Sequence, residues 1–171
     1  MPRITRPAMA DYGVPKELDG ALPWSWAEER LAASRNFWLV TVSAEGRPHA
    51  LPVWGVWMPD RERYGFSCSP RARKVRNLEA NDQVVITNDD AVNVVSIEGR
   101  AERIDGDPAR VEAMARAYQA KYAAEEGFDD VDGVIAFLGQ NAAYEIAPSR
   151  AFGVIETPED FGPRATRWIW D

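Results

Sequence analysis

The chain has 171 residues, of which 46% are hydrophobic and 27% charged, and a formal net charge of −7. This length suits one domain with a substantial core, and the balance argues against a disordered chain. No apolar run approaches the roughly 20 residues of a membrane span, and the N-terminus lacks the apolar stretch of a signal peptide. The single cysteine cannot form an internal disulfide. We therefore expect a cytoplasmic protein.

The scarce residue types narrow the chemistry. With one histidine, His49, and one cysteine, Cys68, the chain cannot build a His-rich or Cys-rich metal site, so we expect no metal. Any Ser-His-Asp or Cys-His mechanism would depend on His49 alone. Seven tryptophans stand against this scarcity: Trp24, Trp26, Trp38, Trp54, Trp57, Trp168 and Trp170. The pattern favours a bound cofactor as the reactive group, although most of these rings also fit a role in packing.

In chain order, the sequence predicts an irregular N-terminal arm over residues 1–23 and one domain over residues 24–171. Helices are predicted over about 26–35, over 69–80 with Ser69 as the N-cap and Pro70 at the first position, and over 107–125. The third has one apolar stripe of Val111, Met114, Tyr118 and Tyr122. Residues 128–140 are ambiguous, with a short helix near 134–138. Strands are predicted over 37–43, 48–57, 64–67, 83–87, 92–104, 142–155 and 165–170. Strand hairpins with inserted helices indicate an antiparallel barrel or an α+β fold, since no alternating βα units and no Gly-rich dinucleotide motif occur.

Residues 71–76 (RARKVR) carry four positive charges at the start of a predicted helix. Free amides and the helix dipole attract anions at such a position, and Ser67 and Ser69 add hydroxyl groups nearby. These features predict a phosphate-binding site; a solvated basic helix is the alternative. One basic patch on an acidic chain favours a small phosphorylated ligand over nucleic acid.

The strand over residues 48–57 contains Pro52 and Gly55 on either side of Val53 and Trp54. Proline removes a ladder donor, and glycine allows a close approach to the backbone, so this segment could face the polar edge of a planar ring. The alternative is an edge strand with a bulge.

Three stretches, residues 46–54 (GRPHALPVW), 73–78 (RKVRNL) and 166–170 (TRWIW), together resemble the split β-barrel flavin- and deazaflavin-dependent oxidoreductases, the superfamily of the pyridoxamine 5'-phosphate oxidase-like proteins. The strand with residues 97–101 (IEGRA) resembles the barrel strand that follows the phosphate-binding helix in that family. The resemblance covers roughly residues 30–170.

The resemblance implies a mainly β, α+β fold, an antiparallel six-stranded split barrel with peripheral helices. It also implies a homodimer with cofactors between the subunits. By similarity, the phosphate would be held by Ser67, Ser69, Arg73 and Lys74, with Asn77 supporting them. Pro52, Val53 and Trp54 would line the ring, partly through their backbone. Arg167 and Trp168 would approach the cofactor or substrate from the last strand, either of the same subunit or of the other. Trp57 and Trp170 would lie around the site, and Trp24, Trp26 and Trp38 would serve packing.

The resemblance favours an oxidoreductase that uses the deazaflavin coenzyme F420, with FMN as the alternative. The Pro-Val-Trp strand resembles the deazaflavin branch, and arginine outnumbers lysine 17 to 3, as in proteins from GC-rich genomes. The tail lacks an Arg-x-His pair for a pyridoxal phosphate substrate. The expected reaction is hydride transfer to an electron-poor small molecule, with His49 as a weak candidate proton donor. A non-enzymatic cofactor carrier and a haem-binding relative are further alternatives, the haem protein last because only one histidine is available.

Overall fold

The computed structural model describes residues 1–125 and 128–171. The strands are β1 (Arg3–Thr5), β2 (Phe37–Val42), β3 (Pro48–Val53), β4 (Gly55–Met58), β5 (Arg63–Cys68), β6 (Gln83–Asn88), β7 (Asn93–Arg103), β8 (Ala142–Ile155) and β9 (Thr166–Ile169). The α-helices are α1 (Trp24–Ala33), α2 (Arg73–Ala80), α3 (Pro108–Tyr122), α4 (Val131–Gly139) and α5 (Phe161–Arg164), and two short 3-10 helices lie at Ala10–Tyr12 and Pro59–Arg61. Among the described residues, no helix is long and apolar enough to cross a membrane.

All strands belong to one antiparallel sheet with the order β1-β9-β8-β7-β6-β2-β3. The 14-residue β8 also pairs along its first half with β5, which in turn pairs with β4. The mainly β architecture with peripheral helices is therefore as expected. The described sheet has nine strands instead of six, and it is not closed, because no ladder connects β3 to β4 or β5.

The strand predicted over residues 48–57 is broken at Trp54 into β3 and β4. β3 pairs only with β2, and β4 pairs only with β5, so the backbone changes partners at this point. Pro52 has no amide hydrogen to donate and lies one residue before the end of β3, which favours leaving the ladder there. The sheet is therefore split between β3 and β4, at Trp54.

The N-terminal arm is more ordered than predicted. Its strand β1 pairs antiparallel with β9, and Ile4 lies opposite Trp168. The buried guanidinium of Arg6 donates to the carbonyl oxygens of Pro163 and Ala165 at 2.9 and 2.8 Å. These contacts attach the arm to the last strand of the sheet and to the turn before it.

Two hydrophobic clusters stabilise the fold. The larger lies inside the sheet and contains three buried tryptophans. Trp24 packs edge-to-face on Trp57, on Trp168 and on the partly buried Trp170 at centroid distances of 4.9–5.4 Å. The smaller cluster joins α3 and α4 to β4. Trp57, expected around the cofactor, belongs to the first cluster, and Trp170, expected there too, packs against it. Edge-to-face contacts of this kind stabilise beyond the area that they bury.

Helix α2 begins later than predicted. Ser69 was expected to cap a helix starting at Pro70, but residues 70–72 form a turn and the helix starts at Arg73 with Ala72 at its N-cap. The Ser69 hydroxyl oxygen instead accepts from the Arg71 amide at 3.3 Å. Because alanine has no side-chain acceptor, the first amides of α2 lack a side-chain cap.

Candidate cofactor site

A cavity of about 280 Å³ lies between the break at Trp54, the end of β5 and the start of α2. Five of the residues predicted from the sequence line it: Pro52, Val53, Trp54, Ser67 and Lys74. Cys68, Tyr118, Phe137 and Asn141 complete the wall. Two sequence segments, one with a broken strand and one with clustered cations, thus face the same cavity.

On the strand side of the cavity, the indole of Trp54 already has aromatic and cationic neighbours. It stacks on Tyr122, with ring centroids 5.2 Å apart and planes 15° apart, and the Arg35 guanidinium lies 4.9 Å from its centroid. The indole is therefore held in place, and a planar ligand here would meet the backbone and edge of this segment.

On the helix side, Lys74 contributes a side chain that is only 8% exposed. The next turn of α2 is tied to the sheet by Asn77, which is buried and donates to the Thr41 hydroxyl at 2.9 Å. Asn77 therefore fixes α2 against β2.

Cys68 lies beside Lys74, and burial raises the pKa of its thiol, with opposing effects from Lys74 and Arg103. A raised pKa does not suit a nucleophilic cysteine.

The four cations of residues 71–76 make no ion pair with any described carboxylate, although many other arginines of the chain do. Arg71, Arg73 and Arg76 are exposed, and Arg76 donates only to the Arg71 carbonyl oxygen at 3.3 Å. Like charges on one short segment repel each other. An anion at the uncapped start of α2 would relieve that repulsion and accept from free amides.

His49 lies on β3 opposite Thr41, next to these cations. Burial lowers the pKa of its imidazole below 6.5, and the positive charges of Arg73 and Lys74 lower it further. Its Nδ1 is buried without a hydrogen-bond partner among the described residues. At neutral pH the imidazole is therefore uncharged, which makes it a poor proton donor in the absence of an anion.

Because His49 is the single histidine, its titration reports on the neighbouring charge. We expect its pKa to lie below 6.5 in the free protein and to rise when a phosphorylated ligand binds, since an anion stabilises the imidazolium. A pH titration of the imidazole resonances by NMR, with and without FMN, measures both values. A pKa that stays the same after ligand saturation would place the phosphate away from Arg73 and Lys74.

Five predicted site residues do not line the cavity: Arg73 and Asn77 on α2, described above, and Ser69, Arg167 and Trp168. Ser69 is exposed in the turn before α2, and Arg167 donates through Nε to the Thr5 hydroxyl at 3.0 Å. Trp168 is 0% exposed and has no free surface for a ligand. In the ladders of β8, Ser67 lies opposite Ala143 and Trp168 opposite Ala151, which separates them by about 25 Å along the strand. Within one subunit the two residues therefore lie far apart along β8.

Four cavity residues were not predicted as site residues. Tyr118 was recognised only as part of the apolar stripe of α3, and its position on that stripe is the signal that could have drawn attention to it. Its hydroxyl donates to the Trp54 carbonyl oxygen at 2.9 Å, and burial raises its pKa above 10. Phe137 and Asn141 come from α4 and the residues after it, where the sequence pattern was ambiguous. Cys68 was interpreted as a small buried residue.

The protein has a mainly β fold, with an open antiparallel sheet and a cavity at the break between β3 and β4. A family model described as pyridoxamine 5'-phosphate oxidase matches residues 26–156, and the chain belongs to that family. A search of the curated proteins gives no match. Among residues 1–125 and 128–171, no cluster of three or more histidine, cysteine, aspartate or glutamate side chains could hold a metal ion.

Solved structures with the same fold have diverse descriptions. A conserved hypothetical protein of Mycobacterium tuberculosis superposes with a TM-score of 0.70 at 16% identity, covering 85% of this chain and 92% of that one. The haem storage protein HutZ of Vibrio cholerae superposes with a TM-score of 0.58 at 22% identity, covering 71% of this chain and 87% of that one. A Bacteroides thetaiotaomicron protein described as a 5-nitroimidazole antibiotic resistance protein superposes with a TM-score of 0.60 at 13% identity, covering 84% of each chain. At these identities the similarity shows the fold.

Proposed function

We propose that the protein is an oxidoreductase that binds the deazaflavin coenzyme F420 in the cavity at Trp54 and reduces an electron-poor small organic molecule. The observation that carries the proposal is the meeting of two features at one cavity. The uncapped, cationic start of α2 lies beside the strand break of Pro52, Val53 and Trp54. The phosphate of a ligand would meet the cationic start of α2, and the ring of the same ligand would meet the strand break.

The residues present fit the phosphate of such a cofactor. Lys74 would form a charge-assisted hydrogen bond, and the Ser67 hydroxyl lies on the same wall. The free amides at the start of α2 would add main-chain donors, with Arg73 at the rim. Asn77 would hold the helix in register through Thr41. In this proposal Ser69 contributes only through the turn that it stabilises.

When bound and reduced, the cofactor supplies a hydride to an electron-poor carbon of the substrate. The chain's own residues position the reactants and exclude water. Phe137 and Tyr118 give the cavity apolar walls, and Asn141 adds one amide. His49 would become a usable proton donor only after an anion has raised its pKa; solvent is the other source of the proton.

F420 is favoured over FMN by the surplus of exposed cations. Lys74 and Arg73 suffice for one phosphate, which leaves Arg71 and Arg76 without an anionic partner in the described chain. These two arginines would meet the acidic tail of F420, which FMN lacks. FMN remains the alternative ligand for the same cavity.

The outer face of β2 supports the proposal that the protein is a homodimer. Trp38, Val40 and Val42 point outward on this strand, Val85 follows on β6, and Trp38 is 48% exposed. A large exposed aromatic residue among half-buried aliphatic side chains marks an interaction surface. Pro52, opposite Trp38, belongs to both this face and the cavity, so the partner subunit would border the cofactor.

Replacing Trp38 with glutamate is therefore expected to convert a dimer into a monomer, since a carboxylate at a buried interface loses its solvation. Light scattering coupled to size-exclusion chromatography measures the mass. Glu45→Gln, in the exposed β2–β3 turn, is the control and should leave the mass unchanged. A Trp38→Glu protein of unaltered mass would exclude this face as the interface.

Titration of the purified protein with F420, FMN and haemin, monitored by tryptophan fluorescence and ligand absorbance, tests the proposed function. We expect F420 to bind at micromolar concentration or better. Binding of FMN alone would favour the FMN alternative. Selective binding of haemin, the ligand class named for HutZ, would replace the proposal with a haem function and implicate His49. Steady-state oxidation of reduced F420 by nitroaromatic or enone acceptors separates an enzyme from a cofactor carrier.

A further inference from the structure

Three side chains on one face of α3 contact the backbone at the strand break. The Tyr118 hydroxyl donates to the Trp54 carbonyl oxygen at 2.9 Å. Lys121 Nζ donates to the Gly55 carbonyl oxygen at 3.1 Å, and the Tyr122 hydroxyl accepts from the Gly55 amide at 3.1 Å. Residues at positions i, i+3 and i+4 share a helix face, so one helix satisfies the polar backbone groups that the sheet leaves free.

Two of the three side chains, Lys121 and Tyr122, have a second anchor. Lys121 also donates to the Leu31 carbonyl oxygen of α1 at 2.9 Å, and desolvation lowers its pKa to about 8. The Tyr122 hydroxyl lies within hydrogen-bond distance of the Arg35 and Gly55 carbonyl oxygens, 2.8 and 3.0 Å, and its one proton serves either. Tyr122 also stacks on the Trp54 indole. The break is thus fixed through both its backbone and its side chain.

We propose that Tyr118, Lys121 and Tyr122 form a backbone clamp on Trp54 and Gly55 that sets the position of the cofactor ring. The role of the ring rests on the proposed function. Lys121 and Tyr122 are positioning residues, because they act through the strand segment and not on the reacting atoms. The hydroxyl of Tyr118 acts in the same way, although its ring also lines the cavity. Trp54 itself belongs to neither ladder, although Val53 and Gly55 on either side of it are paired, and α3, which contacts it, is packed against α4 and β4.

The structure also explains why this clamp would affect the ring more than the phosphate. The three side chains contact residues 54 and 55, at the strand side of the cavity. The helix side, where Lys74 lines the cavity, is held separately through the hydrogen bond of Asn77 to Thr41 on β2. Loosening the clamp would therefore shift the ring and leave the phosphate held. Loss of one such hydrogen bond corresponds to a change of about fivefold in an equilibrium.

The test uses Tyr118→Phe, Lys121→Met and Tyr122→Phe, which keep most of the side-chain volume, with Tyr12→Phe and Arg116→Met as exposed controls. In the cofactor-free protein, amide hydrogen exchange over residues 52–57 should be at least about fivefold faster in the clamp variants, with exchange in β7 unchanged. With F420 or FMN bound, the ring absorption maximum and kcat should change, while the cofactor Kd stays within about threefold.

The outcomes are separable. Exchange over residues 52–57 equal to that of the controls overturns the clamp, whichever cofactor binds. Faster exchange with an unchanged ring spectrum and kcat overturns the positioning role. If the unaltered protein binds neither F420 nor FMN, the proposed function and the positioning role both fail, and exchange then reports on the backbone contacts alone. A global loss of protection, in β7 as well, would contradict a local role for these side chains.

Discussion

Replacing Lys74 with methionine is expected to weaken binding of F420 or FMN by about 10- to 100-fold. Methionine preserves the apolar stem that α2 packs into the cavity wall and removes only the ammonium group. A hydrogen bond to a charged group is worth about 1.5–3 kcal/mol, which gives this range. Fluorescence titration at constant ionic strength measures the change. The affinity of the unaltered protein should also fall with added salt.

Lys16→Met is the matched control, because Lys16 is exposed in the N-terminal arm and the substitution removes the same charge. It should bind the cofactor as the unaltered protein does. Equal affinities for Lys74→Met and Lys16→Met would show that α2 does not hold the phosphate. A joint loss in both variants would instead show that only the overall charge matters.

Replacing Gly55 with alanine is expected to destabilise the protein by about 3 kcal/mol, near the upper end of overpacking effects. A Cβ at this position would lie 2.2 Å from the Tyr64 hydroxyl oxygen and 2.6 Å from its ring carbons. Tyr64 is 0% exposed in the core and packs against Phe37 at 5.0 Å, so its ring has no space to move away. Urea unfolding followed by far-UV circular dichroism measures the loss.

Gly139→Ala serves as the control, since a Cβ there would have no neighbour within 4 Å. At the end of α4 it should change stability by less than about 1 kcal/mol. If Gly55→Ala were as stable as this control, the packing of Tyr64 against the strand break would have to be looser than the structure shows. The backbone at Gly55 would then have no need of a glycine.

The parts of the site that were predictable are those with local signals. Pro52 inside a strand and four cations at a helix start are visible in short windows, and both features border the cavity. The helical stripe of α3 was likewise visible from its spacing. The family resemblance added the fold class, which the family match and the sheet support.

The parts that were not predictable depend on register between distant segments. Trp168 resembles a ligand-binding aromatic residue in its local sequence, and only the ladder between β8 and β9 shows that it lies in the core. The split of residues 48–57 into two strands depends on which partners each half finds. Tyr118 could be placed on an apolar face, but its bond to Trp54 spans 64 residues and leaves no local trace.

The long strand β8 has a consequence for how the chain is made. β5 and β7 both depend on β8 for one of their two partners, and β8 begins only at Ala142. Both strands are therefore synthesised before β8, and until β8 follows, one edge of each strand has no partner. Open strand edges are where chains associate wrongly. A chain that stops before Ala142 would therefore leave one edge of β5 and one edge of β7 without its partner strand.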